Sequence, residues 1–345
     1  MNDRLSYTES GISIDETDAV KRLMKNSIDR GDPRVLNTLG AFSSLVEGRF
    51  DGYSHPILVL KTEEPGSKQK LAFRYRFVSS IAYDLINHLV NDIMVMGADP
   101  IYAQDCIICG KMEPEVVELL VDSMAEACHA QGCVLTGGET SVQPGVIGEG
   151  EYVLSASAIG VVDKNQIIDG SAIEKGDSIL AVASNGLHTN GYTLVRKLLE
   201  IKPNLIDLEV DGKSFLEIIM RPHKCYYVPA KGLFGRPCLH GMAHITGGGV
   251  RDNLIRIIPE ALDALVNLHS VQIPEIFRII RSEGNVSNDD MLRTFNMGIG
   301  LAVIVASASK NDVIAHFKKH KCECYEIGHI VNGQSRVEFD GSLHW

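Results

Sequence analysis

Aromatic residues make up only 6% of this 345-residue chain, and tryptophan occurs once. No apolar run approaches the ~20 residues that a membrane-spanning helix needs. The longest candidate, Ile299 to Ala308, reads as a buried strand. Positive charge is in deficit: 33 Lys and Arg stand against 44 Asp and Glu, a net charge of −11. That balance excludes nucleic acid or an anionic membrane as the main partner, because both are bound through excess basic charge. A phosphate ligand stays possible, since it needs only a few local donors. The start, Met1-Asn2-Asp3-Arg4, lacks the apolar core of a signal peptide, so a cytoplasmic protein is expected. The eight cysteines are scattered. Cys106-Ile107-Ile108-Cys109 has no second pair at zinc spacing and reads as buried thiols in a reducing compartment.

What is present is alternation of strands, glycine loops and helices at a length that predicts two domains. The turn residues Asp169-Gly170 and Lys175-Gly176-Asp177 divide the chain, giving domains 1–168 and 169–345. In the first, a helix is expected through Val20, Leu23, Met24 and Ile28, and a strand over Leu39–Val46. Strands follow at Ile57–Leu60, Ile101–Ile108 and Tyr152–Val162, with a helix over Glu113–Gln131. A short strand, Cys133–Thr136, is expected to empty into a loop, Gly137-Gly138-Glu139-Thr140, whose glycines let a ligand approach the backbone.

Chemistry concentrates in Ile57–Pro100. The segment Ile81–Met96 has helical period, and Asp84, His88, Asn91 and Asp92 fall at i, i+4, i+7 and i+8 on one face. The remaining positions are so apolar that the helix is expected to be buried. Carboxylates on a buried face must be paired, hydrogen-bonded or metal-bound. A solvated face or a capping network is the plainer alternative. Glu63 and Glu64, at the end of the preceding strand, offer further oxygen ligands.

The second domain restarts with the strand Ser178–Ala183 and two glycine-loop-to-helix junctions. One is Ser184 to Gly191, which carries His188 and Asn190 and feeds a helix through Tyr192 and Leu199; the other is Thr246-Gly247-Gly248-Gly249. Such junctions are ready anion sites. His188 reads equally as an acid/base, a phosphate ligand or a loop donor. Short helices are expected at Val271–Ile280 and Asp289–Arg293, a longer one at Asn311–His320, and strands at Leu301–Val305, Tyr325–Val331 and Val337–Phe339. Acidic cluster, glycine loops and histidine together point to a phosphate-bearing ligand with a divalent cation.

Strung in order, the motifs resemble one family. They are Ser6 to Asp15, Val90-Asn91-Asp92-Ile93, Gly137-Gly138-Glu139-Thr140, Ile167 to Ser171, Gly186 to Lys197, His244 to Gly249, and Arg293-Thr294-Phe295-Asn296. Together they resemble the phosphoribosylformylglycinamidine cyclo-ligase (aminoimidazole ribonucleotide synthetase) family over nearly the whole chain. The resemblance implies an α+β fold of two domains, in which the N-terminal sheets of a homodimer close into a barrel and the C-terminal domain is an α/β sandwich. It implies ATP and Mg2+, a phosphoribosyl substrate, and ring closure through phosphorylation of a formyl amide oxygen. Carried over by residue, it makes Glu63, Asp84, Asn91 and Asp92 the metal region and Lys68 and His188 the catalytic candidates. It gives Gly66, Ser67, Gly137, Gly138, Glu139, Thr140, Asn190, Thr246, Gly247, Gly248 and Gly249 to nucleotide or substrate.

Four places depart from the family pattern. Glu63-Glu64-Pro65 stand for Asp-Gly-Val, Ser141-Val142-Gln143 for Ala-Glu-Met, and His223-Lys224 for Thr-Arg, while His88 replaces an apolar residue. A relative that activates another carbonyl or phosphate acceptor, or a nucleotide-binding paralogue without catalysis, fits the same departures.

Overall fold

A computed structural model describes residue 28 and residues 31–37 and 42–345. The motif Ser6–Asp15, the helix expected through Val20 to Met24 and the start of the strand expected at Leu39 lie outside the described residues.

The first domain is a four-stranded sheet, β1 (Pro56–Glu63), β2 (Asp99–Cys109), β3 (Val134–Val142) and β4 (Tyr152–Asp163), in the order β1-β4-β2-β3. Only the β2/β3 pair is parallel. Helices α1 (Lys68–Arg74), α2 (Val78–Met94) and α3 (Pro114–Ala130) accompany it. In α2, Ile81, Leu85, Leu89 and Ile93 recur at four-residue spacing and are buried, so this stripe packs into the core against α3 and β4. Pro114 opens α3, where a missing N–H costs nothing.

Two expectations change. The polar, turn-prone stretch Thr62–Lys68 reads as a loop, yet its last residue opens the helix Lys68–Arg74. The expected loop at Gly137-Gly138 is instead the interior of β3, which runs on to Val142. The glycines serve packing there: a Cβ on Gly138 would lie 2.2 Å from the Asp105 carbonyl oxygen. The β2/β3 register shifts at this point, as a β-bulge requires.

Asp105, on β2, is buried with neither carboxylate oxygen paired among the described residues. Burial pushes its carboxyl up to about 7, with help from the Glu139 charge. The folded value lies above the unfolded one of ~3.9. Its contribution is therefore fully present below that value and is lost as pH rises through about 7. We expect urea unfolding of Asp105→Asn and the unmodified protein to diverge from pH 5 to pH 8, by about 2–3 kcal/mol in the variant's favour. A constant gap would show that Asp105 does not titrate in this range.

The second domain begins with β5 (Ser178–Ala183), after which come α4 (Tyr192–Ile201), a two-residue pair β6 (Glu209–Val210) and β7 (Lys213–Ser214), α5 (Phe215–Ile219) and α6 (Tyr227–Lys231). Then follow β8 (Leu239–His244), α7 (Gly249–Leu254), β9 (Leu262–Asn267), α8 (Glu275–Gly284), α9 (Asn288–Thr294), β10 (Ile299–Val305), α10 (Lys310–Lys319), β11 (Cys324–Asn332) and β12 (Arg336–Asp340). Six strands form one sheet, β12-β9-β11-β5-β10-β8, antiparallel except for β9/β12. All seven residues of β10 are buried, which is why that strand reads as a continuous apolar run. Among the described residues, no helix is long and apolar enough to cross a membrane.

Candidate active site

The polar face of α2 is turned toward the second domain, where it binds the segment Arg221–Tyr226. Asp84 accepts the His223 backbone N–H at 2.7 Å. Asn87 donates to the His223 carbonyl at 2.7 Å. Asn91 donates to the Lys224 carbonyl at 2.8 Å and accepts the Tyr226 N–H at 2.8 Å. Lys68 completes this seam. Its ammonium is fully buried, contacts Asp84 at 2.8 Å, and donates to the Arg221 carbonyl at 2.8 Å and the His188 carbonyl at 3.2 Å. All three donors of the ammonium are thereby used. Burial pushes the Asp84 carboxyl up, and the Lys68 charge and the His223 amide oppose it.

Beside the seam opens a cleft of about 600 Å³ between the domains. Its lining includes Lys61 and Glu63 of β1, His88 and Asp92 of α2, Asn190, His244 at the end of β8, and Thr246 and Gly247 beyond it. Lys61 reaches Glu63 and Asp92 at 2.9 Å each, so the two carboxylates converge on one cationic position. Asp92 also accepts His244 Nδ1 at 2.7 Å. Burial disfavours the Asp92 charge, but His244, His88 and Lys61 outweigh it and hold the carboxyl well below the usual range. Burial likewise works against the Lys61 charge, and Asp92 and Glu63 overcome it, so its ammonium is strengthened. Burial and the neighbouring His244 lower His88 to about 4, so its imidazole is neutral at pH 7.

The glycine loop that closes the cleft is held from within. Asn253 donates to the carbonyls of Gly247 and Gly249 at 3.1 and 2.8 Å, and Thr246 donates to Asn253 at 3.1 Å. Gly249 has φ +64°, and a Cβ there would lie 2.0 Å from the Leu292 carbonyl oxygen, so no other residue fits.

The structure thus brings together part of the expected set: Glu63, Asp92, Asn190, Thr246 and Gly247 line one cleft. Asp84 and Asn91 share their helix face but are spent on Lys68 and on second-domain backbone. Lys68 lies in the seam with all its donors used. His188 is buried at φ +60°, and its carbonyl is fixed by Lys68. Gly66 and Ser67 pack on the second domain, Ser67 Oγ lying 3.3 Å from Thr193 Oγ1. Gly248 caps α7. Gly137, Gly138, Glu139 and Thr140 lie on β3, at the sheet edge opposite β1. Sequence reasoning passed over Lys61 and His244 as site residues. Lys61 sits two residues before Glu63 on one strand and so shares its face, which was a usable signal.

The chain matches two sequence profiles of one family: "AIR synthase related protein, N-terminal domain" over residues 56–162 and "AIR synthase related protein, C-terminal domain" over residues 174–340. It is 40% identical over 334 residues to a phosphoribosylformylglycinamidine cyclo-ligase of Clostridium acetobutylicum, covering 96% of this chain and 99% of that one. It is 38% identical over 339 residues to the enzyme of the same name from Magnetococcus marinus, covering 96% of both. Solved structures share the fold at lower identity. A thiamine-monophosphate kinase from Stenotrophomonas maltophilia superposes with a TM-score of 0.68 at 19% identity, covering 94% of this chain and 96% of that one. The hydrogenase maturation protein HypE in complex with ATP gives 0.67 at 18%, covering 96% and 92%. With both halves matched in order and cyclo-ligases aligned along almost its full length, the chain belongs to the AIR synthase related proteins, in their phosphoribosylformylglycinamidine cyclo-ligase branch.

Proposed function

We propose that the interdomain cleft binds ATP with Mg2+ and closes the imidazole ring of aminoimidazole ribonucleotide from formylglycinamidine ribonucleotide. The carrying observation is the convergence of Glu63 and Asp92 on one cationic point inside a cleft roomy enough for a nucleotide. In the reaction the formyl amide oxygen attacks the γ-phosphorus and ADP leaves. An amidine nitrogen then attacks the activated carbon, the oxygen departs within phosphate, and a proton is lost. The protein's task is to hold the nucleophile close and to neutralise phosphate charge. Glu63 and Asp92 supply hard oxygen donors, which fit Mg2+; the ion, when bound, neutralises phosphate oxygens. Lys61 and Arg256 are the Lys and Arg side chains of the lining, placed for phosphate groups of nucleotide or substrate. Asn190 has a buried amide nitrogen with no partner among the described residues, available to a ligand carbonyl or phosphate.

The protein is proposed to work as a cytoplasmic homodimer of two-domain subunits, 1–168 and 169–345. Leu58 and Leu60 on β1 and Val153 on β4 leave apolar surface exposed on one face of the first sheet, and a barrel closed with a second copy would cover it. The test is product formation from pure protein with ATP and Mg2+. Turnover strictly dependent on both is expected, and nucleotide binding without product would refute the reading.

Lys61 gives a second handle. Its ammonium occupies the point where the carboxylates meet, so magnesium must displace it. Both of its ion pairs are partly exposed and therefore weak. Lys61→Ala is expected to lower the Mg2+ concentration for half-maximal activity by up to about fivefold. An unchanged or higher requirement would place the ion elsewhere.

A further inference from the structure

Behind the cleft lies a histidine cluster that ring closure, as proposed above, does not use. His223 Nε2 and His244 Nε2 stand 2.9 Å apart. His188 stacks on His223 with ring centroids 3.9 Å apart and planes 23° apart. One ring nitrogen from each of the three lies within 4.8 Å of those of the other two. His188 and His223 are 2% and 1% exposed. Among the described residues, neither nitrogen of His188 has a partner, nor has His223 Nδ1. Buried polar atoms without partners are rare and call for an ion or water. Three atoms on two adjacent rings mark this spot rather than a general looseness of packing.

We propose that His188, His223 and His244 form a binding site for one imidazole-preferring divalent cation of the zinc, cobalt or nickel class. Asp92 holds His244 by Nδ1, which turns Nε2 toward His223 and, at 3.5 Å, toward the Asn91 amide. A carboxylate behind a ligating imidazole is the usual device for orienting such a ligand. Burial favours the neutral imidazoles of His188 and His223, the ligating form. Donors that are all nitrogen select zinc-like ions and reject Mg2+ and Ca2+, which demand oxygen. A tetrahedral ion with bonds of ~2.0–2.1 Å spaces its ligands ~3.4 Å apart. The His223–His244 pair therefore opens by a few tenths of an ångström, and His188 turns about its Cβ–Cγ bond to aim a nitrogen. Lys68 and Lys224 are nearby opposing charges; Asp84 at 2.8 Å neutralises Lys68, and the Lys224 ammonium is held off at the Ala183 carbonyl, 3.5 Å away. His88 is left out of the ligand set, because its Nδ1 faces Thr189 Oγ1 at 3.3 Å and its Nε2 faces Asp92 and Glu63. The ion joins three second-domain segments and, through Asp92, the end of α2.

Chelator-stripped full-length protein titrated with Co2+ tests this without reference to activity. One equivalent should bind and give the intense visible absorption of a four-coordinate ion, displaced by Zn2+. His223→Thr, which restores the residue type of the family pattern, should weaken Co2+ at least ~100-fold. Asp92→Asn should weaken it ~10–100-fold, as removal of an orienting carboxylate does. X-ray absorption of the unmodified zinc form should count three imidazoles, a readout that stands even if a variant misfolds. A six-coordinate oxygen spectrum, fewer than three imidazoles, or equal affinity in a folded His223→Thr variant would overturn the site. None of these outcomes depends on whether the cleft closes imidazole rings, so failure of either reading is visible separately.

Discussion

Lys68→Met is expected to destabilise the protein by about 3–5 kcal/mol, the usual cost of stripping one partner from a buried ion pair. Lys68 and Asp84 are both fully buried. Without the ammonium, the Asp84 carboxylate keeps only the His223 N–H, and the carbonyls of His188 and Arg221 lose their donor. These carbonyls belong to the second domain and Lys68 to the first, so the loss falls on the seam between them. The melting temperature should drop by roughly 6–10 °C. Removing both charges in Lys68→Met/Asp84→Leu should regain much of this, since an apolar pair carries no desolvation penalty. A double-mutant cycle in thermal unfolding measures the coupling. If Lys68→Met melts with the unmodified protein but loses ATP affinity, Lys68 contacts the nucleotide, in keeping with the catalytic role that the family resemblance implies, and the seam is held by other bonds.

Asp92→Ala is expected to cut turnover by at least ~10²–10³-fold, the scale on which preorganised charge in an active site acts. Asp92 is one of the two carboxylates at the cationic point, it anchors Lys61 at 2.9 Å, and it orients His244 at 2.7 Å. Its removal leaves a lysine, an imidazole and any bound ion without a common partner. Asp92→Asn keeps the shape and loses the charge, so it should fall nearly as far. Steady-state kinetics beside circular dichroism check both. Activity within a few-fold of the unmodified protein, in folded variants, would remove Asp92 from the site.

The contrast between these residues shows what the sequence made legible. Helical period places Asp84, His88, Asn91 and Asp92 on one face, and apolar content predicts a buried helix; burial holds at Asp84, His88 and Asn91, while Asp92 is only partly buried. Which of them meets solvent depends on what lies opposite. Asp84 and Asn91 face Arg221–Tyr226, more than 130 residues away, and Asp92 faces the cleft. Periodicity carries no information about a partner at that distance. Lys68 in a polar loop reads as exposed, because its cage is assembled from three remote segments. A glycine pair reads as a ligand loop when it lies in a strand pressed against Asp105, since both uses need a missing Cβ. Strand β9, Leu262–Asn267, went unread because neither a β-branched run nor clean alternation marks it. His88 and His223 stood out singly as departures from the family pattern, and only the fold sets their rings 5.3 Å apart.

The most direct test of the central claim follows the oxygen. Formylglycinamidine ribonucleotide labelled with ¹⁸O in the formyl amide is turned over with ATP and Mg2+, and the phosphate is weighed by mass spectrometry. If the cleft activates that oxygen by phosphorylation, one label per turnover appears in inorganic phosphate, and with Asp92→Ala labelled phosphate accumulates at least ~10²–10³-fold more slowly. Label released to water, or product formed without labelled phosphate, would contradict the account.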